Sequence, residues 1–129
     1  MGELYTFVRA YRDEDFDELA SWYEAWGQKV PKKEFLPSLG YIAEGVAAGF
    51  MYNVENKLGL IDFYISNPKS KTSMRDSALD HITRLLICDA GFKNLKAVTT
   101  TTKLQAIKER AKKHNFDNIG ECTMLFRGI

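Results

Sequence analysis

One acidic residue interrupts the most apolar stretch of the chain, LGLIDFYIS at positions 58–66. A carboxylate at Asp62 is costly there unless it is hydrogen-bonded or faces a cleft, because burial penalises an unpaired charge. Burial of a carboxyl group also raises its pKa toward the range in which it can accept a proton near neutral pH. Asp62 is therefore a candidate functional residue. The alternative is a structural carboxylate that solvent reaches or that pairs with a lysine or tyrosine of a neighbouring strand.

Charge is distributed unevenly along the sequence. The 129 residues include 45% hydrophobic and 27% charged residues, the balance of a folded protein, and their formal net charge is +1. Residues 1–62 hold 6 basic and 11 acidic side chains, whereas residues 91–129 hold 8 basic and 3 acidic ones. The small total excludes a general polyanion binder, so nucleic acid is not an expected partner. The gradient predicts two oppositely charged regions in the folded molecule.

Several classes of protein are excluded by composition. Cys88 and Cys122 lie in apolar contexts without CxxC spacing, which predicts free core thiols in a reducing compartment. Two histidines without a Cys/His cluster predict that no metal is bound. The longest apolar stretch, residues 45–52, is too short to span a bilayer, and no secretory signal is recognisable. We therefore expect a cytoplasmic protein without a membrane partner.

Hydrophobic periodicity predicts one domain over residues 1–129 with the element order β-α-β-β-β-α-β-α-β. Strands are predicted at residues 4–9, 40–44, 47–54, 58–66, 96–102 and 121–127. Helices are predicted from Asp13 to Gly27, from Thr72 or Ser73 to Gly91, and over residues 103–114. An antiparallel middle section followed by a β-α-β unit predicts an α/β (α+β) fold, a mixed and mostly antiparallel sheet with helices on both faces.

Local signals predict where some of these elements begin and end. Asp13 is the predicted N-cap of the first helix, and Ser73 with Asp76 forms a weak capping box for the second. Residues 55–57 read as a hairpin turn between two strands. The last helix is predicted to be buried through Leu104, Ile107 and Ala111.

Three segments carry a resemblance to a known family: VRAYRDEDFDEL at residues 8–19, LIDFYISNP at residues 60–68 and HNFDNIGECTMLFR at residues 114–127. Together with the element order, they resemble the GNAT N-acetyltransferase superfamily, in particular the small, divergent members that tailed phages and bacteria encode. The resemblance covers essentially the whole chain. It implies a GNAT-like acetyltransferase domain that uses acetyl-CoA, located in the cytoplasm of a host cell or in a virion.

The resemblance also implies a place for acetyl-CoA. In the family, the strand equivalent to residues 58–66 diverges from the strand equivalent to residues 97–102, and the cofactor lies between them. Its pantetheine would pair with the backbone near Ile65 and Ser66, and Thr100 would turn its hydroxyl into the same cleft. A helix N-terminus favours the pyrophosphate. The implied phosphate loop consists of Lys71, Thr72, Ser73, Met74, Arg75 and Asp76.

This loop departs from the family pattern, because Met74 and Asp76 stand where glycines are usual. Glycine permits close approach to phosphates, and Asp76 adds a negative charge beside them. Lys69, Lys71 and Arg75 would compensate in part. The alternative is an ordinary strand-loop-helix connection with a solvated basic loop. The alternative for the four threonines at residues 99–102 is a strand of high β propensity with one solvent-exposed face.

The implied chemistry is acetyl transfer to a primary amine, with Asp62 as the base. The family often supplies a tyrosine from the last helix as the general acid, but Ala111 occupies the matching position. Tyr64 or His114 are the candidate substitutes. The basic residues of the last helix would lie near the cofactor phosphates, or else form a solvated face.

An acceptor pocket is implied at the loop after the first helix. Trp26, Phe35 and Tyr41 would shape it, and nearby glutamates would attract a cationic amine. Core packing is the alternative for these aromatic residues. Two functions therefore compete: an acetyl-CoA-dependent N-acetyltransferase acting on a small molecule or a protein, and a catalytically degenerate GNAT-fold interaction or virion protein. A homodimer is compatible with either.

Overall fold

Strands rich in β-branched and aromatic residues build a five-stranded sheet in the computed structural model, which describes residues 7–102, 104–123 and 125–128. The strands are β1 (Val8–Ala10), β2 (Leu39–Ala43), β3 (Ala47–Val54), β4 (Leu58–Ser66) and β5 (Ala97–Thr99). They lie in the order β1-β2-β3-β4-β5, antiparallel from β1 to β4 and parallel between β4 and β5. The predicted mixed, mostly antiparallel sheet is confirmed.

Helices cover both faces of this sheet, as predicted. They are α1 (Phe16–Ala25), α2 (Thr72–Phe92) and α3 (Gln105–Lys113), with short 3-10 turns at Asp13–Asp15 and Lys33–Phe35. On the face covered by α1, called the α1 face, Leu19 and Trp22 pack against Ile42 and Phe50. On the opposite α2 face, Ile82 and other α2 residues pack against the remaining side chains of the central strands. Among the described residues, no helix is long and apolar enough to cross a membrane.

β4 contains a bulge that changes which side chains reach each face. Opposite β3, Ala48 pairs with Ile65 but Phe50 pairs with Asp62, so β4 carries one additional residue at this point. Phe63 takes the left-handed conformation, with φ of 58°. Asp62 therefore lies on the α1 face with Phe63, whereas Tyr64 is directed to the α2 face, where it packs against the core.

Two predicted chain reversals are confirmed. The turn after β3 spans residues 55–57, because Val54 pairs with Leu58, and it places Glu55 and Asn56 at φ of 53° and 57°. Lys57 N–H donates to the Val54 carbonyl at 2.9 Å. Gly27, with φ of 70°, ends the turn after α1.

The predicted strand at residues 121–127 is wrong, because residues 117–123 and 125–128 form neither helix nor strand. Met124 lies outside the described residues. No strand in the described part of the chain pairs with this segment, so its β propensity does not produce a strand. Ile119, Leu125 and Phe126 remain between 80% and 93% exposed.

Other local predictions need correction. The first strand lies at Val8–Ala10 rather than at residues 4–9, of which residues 4–6 are outside the described residues. Lys71 rather than Thr72 or Ser73 is the N-cap of α2, so the predicted capping box does not form. The thiols of Cys88 and Cys122 are free, but both are exposed and not in the core.

Two helix predictions also differ in detail. Asp13 is not the cap of α1. Asp15 takes that role two residues later, where its carboxylate accepts the Arg12 N–H at 2.8 Å. The predicted burial of the last helix through Leu104, Ile107 and Ala111 is not observed in full: α3 has no buried residue, Leu104 precedes it and is 56% exposed, and Ile107 and Ala111 are half-buried.

Candidate active site

The strands β4 and β5 diverge after three paired residues. Their parallel pairing ends at Leu60 and Thr99. The next residue along β5, Thr100, donates its hydroxyl to the Ile61 carbonyl at 2.9 Å. Beyond this contact the backbone of residues 62–66 has no strand neighbour on the β5 side within the described part of the chain. An extended ligand with amide groups could pair with this open backbone edge.

A narrow crevice lies on the α2 face of this divergence. It is lined by Ile61, Tyr64, Thr83, Thr100, Ile107, Arg110, Ala111 and Phe116. The Thr83 hydroxyl donates to the Leu79 carbonyl at 2.7 Å, which leaves its oxygen to accept the proton of the Tyr64 hydroxyl at 2.6 Å. Burial raises the pKa of Tyr64, and the charge of Arg110 opposes this effect. The Tyr64 proton is thus directed toward α2.

The loop between β4 and α2 is held firmly in place. The Asn67 and Ser70 side chains both donate to the Gly45 carbonyl, at 3.0 and 3.1 Å, which ties the loop to the β2–β3 turn. Lys71 is the N-cap of α2 and makes no side-chain capping hydrogen bond. The first N–H groups of the helix therefore point toward an exposed segment that carries Lys69 and Lys71.

Arg75, in the first turn of α2, stabilises this loop through its side chain. Its guanidinium donates to the carbonyls of Pro68 and Ser70, at 3.1 and 3.0 Å, and to the Thr72 hydroxyl at 3.2 Å. The guanidinium carbon also lies 5.7 Å from the centre of the Trp26 ring. Three of its N–H groups are thus used within the protein, so Arg75 uses most of its hydrogen-bond donors to hold the loop and not to bind a ligand.

Trp26 joins the end of α1 to the end of β4. Its indole N–H donates to the Ser66 carbonyl at 2.6 Å, and 45% of the side chain is exposed. The structure therefore brings Trp26, expected at the acceptor pocket, next to Ser66 and Arg75, expected at the cofactor. Of the other expected cofactor residues, Ile65 is buried in the α1-face core and Met74 packs against the α2-face core.

Asp62 is half-buried among aromatic residues of the α1 face. One carboxylate oxygen accepts the Phe63 N–H at 2.7 Å, and the other has no hydrogen bond within the described residues. Burial raises the pKa of Tyr23 and Tyr52, and the negative charge of Asp62 adds to both effects. The Phe63 ring meets the Tyr52 ring edge-on, with centroids 6.3 Å apart. A carboxylate bordered by aromatic rings can attract a cationic amine.

The three residues expected at the acceptor pocket do not come together. Phe35 lies beside Tyr52, because its carbonyl accepts the Tyr52 hydroxyl. Tyr41 lies on the α2 face, where its hydroxyl donates to Asp89 of α2. Burial, followed by this hydrogen bond, raises the pKa of Tyr41 to about 12. Tyr41 is separated by the sheet from Trp26 and Phe35.

Sequence reasoning missed Tyr52 and Phe63 as neighbours of Asp62. Tyr52 lies two residues after the buried Phe50 in β3. Because side chains two positions apart in a strand share a face, the sequence could have placed Tyr52 on the same face as Phe50. Phe63 gave no comparable signal, because β4 is apolar almost throughout and its bulge has no sequence mark.

No protein-family model matches the sequence, and no curated protein matches it. Solved structures do match. A predicted acetyltransferase from Clostridium acetobutylicum, solved with acetyl-CoA, has a TM-score of 0.68 and 14% identity over 95% of this chain and 96% of its own. The fold is that of GNAT acetyltransferases.

Two further acetyltransferase structures have the same fold. One is from Trypanosoma brucei, with a TM-score of 0.69 and 9% identity over 95% of this chain and all of its own. The other is an aminoglycoside acetyltransferase from an uncultured soil metagenomic sample, with a TM-score of 0.62 and 11% identity over 100% of this chain and 99% of its own. At such low identities the likeness concerns the fold.

Proposed function

We propose that this protein is an acetyl-CoA-dependent N-acetyltransferase that acts on a primary amine. The divergence of β4 from β5 at Leu60 and Thr99 carries the proposal, because it exposes a backbone edge beside the open N-terminus of α2. The shared fold adds support, since one structure of that fold was solved with acetyl-CoA. A second structure of that fold is an aminoglycoside acetyltransferase.

Residues of this chain fit an acyl-CoA. The open edge of β4 near Ile65 and Ser66 offers backbone groups to the amides of pantetheine, although the Ser66 carbonyl already accepts the Trp26 indole N–H, and Thr100 lies where β4 and β5 diverge. The first turn of α2 at Thr72, Ser73 and Met74 offers uncapped N–H groups to the pyrophosphate. When bound, acetyl-CoA supplies the thioester whose acetyl group is transferred.

Asp62 is the proposed base. Its free carboxylate oxygen would accept a proton from the ammonium group of the acceptor, while the Phe63 N–H holds the other oxygen. Trp26 and Phe35 would border the acceptor site from the α1 face. Tyr41 has no proposed part in it, because it lies on the other face of the sheet.

One observation favours a second candidate function, a fold that binds CoA without turnover. The Tyr64 proton is committed to Thr83, and Ala111 offers no acidic hydrogen, so neither supplies a proton to a leaving thiolate. Thermal shift and calorimetry with CoA and acetyl-CoA test binding, because a ligand of the folded state raises its stability. Thiol release with a panel of primary amines tests turnover.

Asp62→Asn tests the proposed base. We expect kcat to fall by about 100-fold, the scale of a lost general base, with acetyl-CoA affinity unchanged. The matched control is Asp17→Asn, which alters an exposed acid on α1. Full activity of Asp62→Asn would exclude Asp62 as the base. Absence of any stabilisation by CoA at millimolar concentration would refute the proposed function.

A further inference from the structure

Asp76 places a negative charge where the proposed cofactor has its phosphates. It is the fifth residue of α2, about 6 Å along the helix axis from Thr72. A carboxylate this close to the start of the helix opposes binding of an anion there. The fold must therefore offset this charge if the phosphates bind at the start of α2.

Arg110 of α3 meets this carboxylate directly. Its Nη2 lies 3.1 Å from Asp76 Oδ1, and its Nη1 donates to the Asp76 carbonyl at 3.1 Å. The same Nη1 lies 2.7 Å from Asp80 Oδ1. Only 11% of the Arg110 side chain is exposed, whereas 60% of the Asp76 side chain is. The arginine charge is therefore the less screened of the two.

Asp80 has partners of its own. Lys113 Nζ lies 2.9 Å from Asp80 Oδ2, and His114 Nε2 lies 3.4 Å from Asp80 Oδ1. Burial raises the pKa of Asp80, but the hydrogen bonds from Lys113 and Arg110 outweigh it and hold that pKa below its usual range. Asp80 is thus a shared acceptor, and Arg110 is left as the cation that contacts Asp76.

The position of Arg110 connects this pair with the opening between β4 and β5. Arg110 lines the crevice with Tyr64 and Thr100, and its Nε is buried without a hydrogen-bond partner among the described residues. Its charge lowers the pKa of Tyr64, against the larger effect of burial. The field of Arg110 therefore extends into the opening itself.

We infer that Arg110 is a positioning residue that neutralises Asp76 and so keeps the start of α2 attractive to the pyrophosphate of an acyl-CoA. This inference rests on the proposed function and adds a residue on α3 to the cofactor site. It also explains how a phosphate loop with an aspartate in place of a glycine remains able to bind an anion.

The test is a charge-replacement cycle with Arg110→Gln, Asp76→Asn and the double variant, measured by calorimetry with CoA. We expect Arg110→Gln to weaken CoA about fivefold and Asp76→Asn to strengthen it about threefold, the size of single charges near a surface. The double variant should return to within about twofold of the unmodified protein, because both charges are gone. Dephospho-CoA should show the same changes, because it keeps the pyrophosphate.

Lys113→Gln is the matched control, since Lys113 contacts Asp80 but is 65% exposed. Its CoA affinity should change by less than about twofold. The effects of Arg110→Gln should shrink in 0.5 M salt, about a 4–5 Å screening length, whereas a structural role would persist.

A loss in Arg110→Gln that Asp76→Asn does not reverse, or that salt does not reduce, would show a structural role and overturn the inference. Changes with CoA that are absent with dephospho-CoA would overturn it as well. If Arg110→Gln does not fold, Asp76→Asn decides alone, and an unchanged CoA affinity refutes the inference. A protein that does not bind CoA refutes both the proposed function and the inference.

Discussion

Replacing Asp15 tests how α1 is anchored to the sheet. Asp15 is 9% exposed. Its carboxylate accepts hydrogen bonds from both terminal nitrogens of Arg9, at 2.8 and 2.9 Å, and from the Arg12 N–H. These contacts attach the start of α1 to β1, and α1 carries Tyr23 and Trp26 to the candidate site. Asp15→Asn keeps the volume but removes the charge.

The expected loss is about 2–3 kcal/mol of unfolding free energy. Breaking a buried ion pair costs about 3–5 kcal/mol when the partner is left uncompensated. The loss is smaller here because Arg9 keeps a second carboxylate, Glu44, at 2.6 Å. Urea unfolding at pH 7, followed by fluorescence of the buried Trp22, measures it. The melting temperature should fall by about 6–15 °C.

Glu44→Gln is the matched control, because it removes the other partner of Arg9 and its side chain is 55% exposed. We expect it to cost at most about 1 kcal/mol. Equal losses for the two variants would refute the reasoning, since burial would then have no influence on the strength of the pair.

The stabilisation that Asp15 provides should depend on pH. The Arg9 hydrogen bond, assisted by the Arg12 N–H and opposed by burial, lowers the pKa of Asp15 in the folded protein. Its stabilisation is therefore present above the unfolded value of about 3.9 and is lost as the pH falls through the folded value. The difference between the unmodified protein and Asp15→Asn should narrow below about pH 4. A constant difference from pH 7 to pH 2 would contradict this account.

Three further predictions concern the candidate site. Thr100→Val should cost about 1–2 kcal/mol in urea unfolding, because a β4 carbonyl loses its donor, while Thr101→Val at an exposed position should cost less than about 0.5 kcal/mol. Gly49→Ala would bring a methyl carbon within 2.8 Å of the Tyr64 ring and should lower stability by about 1–3 kcal/mol; an unchanged melting temperature would contradict this packing. Trp26→Phe should lower the free energy of unfolding by about 1 kcal/mol and weaken CoA binding in calorimetry, because the hydrogen bond to Ser66 is lost. An unaltered CoA affinity would show that Trp26 does not support the cofactor loop.

Most of the order of helices and strands could be predicted from the sequence. Periodicity predicted α1 and α2 because a helix covering one face of a sheet needs one continuous apolar stripe. The hairpin after β3 was predictable because a short turn depends on local backbone geometry. The strand at residues 121–127 was not, because a strand exists only where another strand pairs with it.

The candidate site was predictable in part. The sequence by itself determined that an acidic residue would lie in β4 and that a basic loop would precede α2, because both are local properties of the chain. Tertiary structure decided which charges meet. Arg110 reaches Asp76 across 34 positions of sequence, the bulge in β4 places Asp62 and Phe63 on one face, and the sheet separates Tyr41 from Trp26. Such pairings depend on how helices and strands pack, and local patterns do not contain that information.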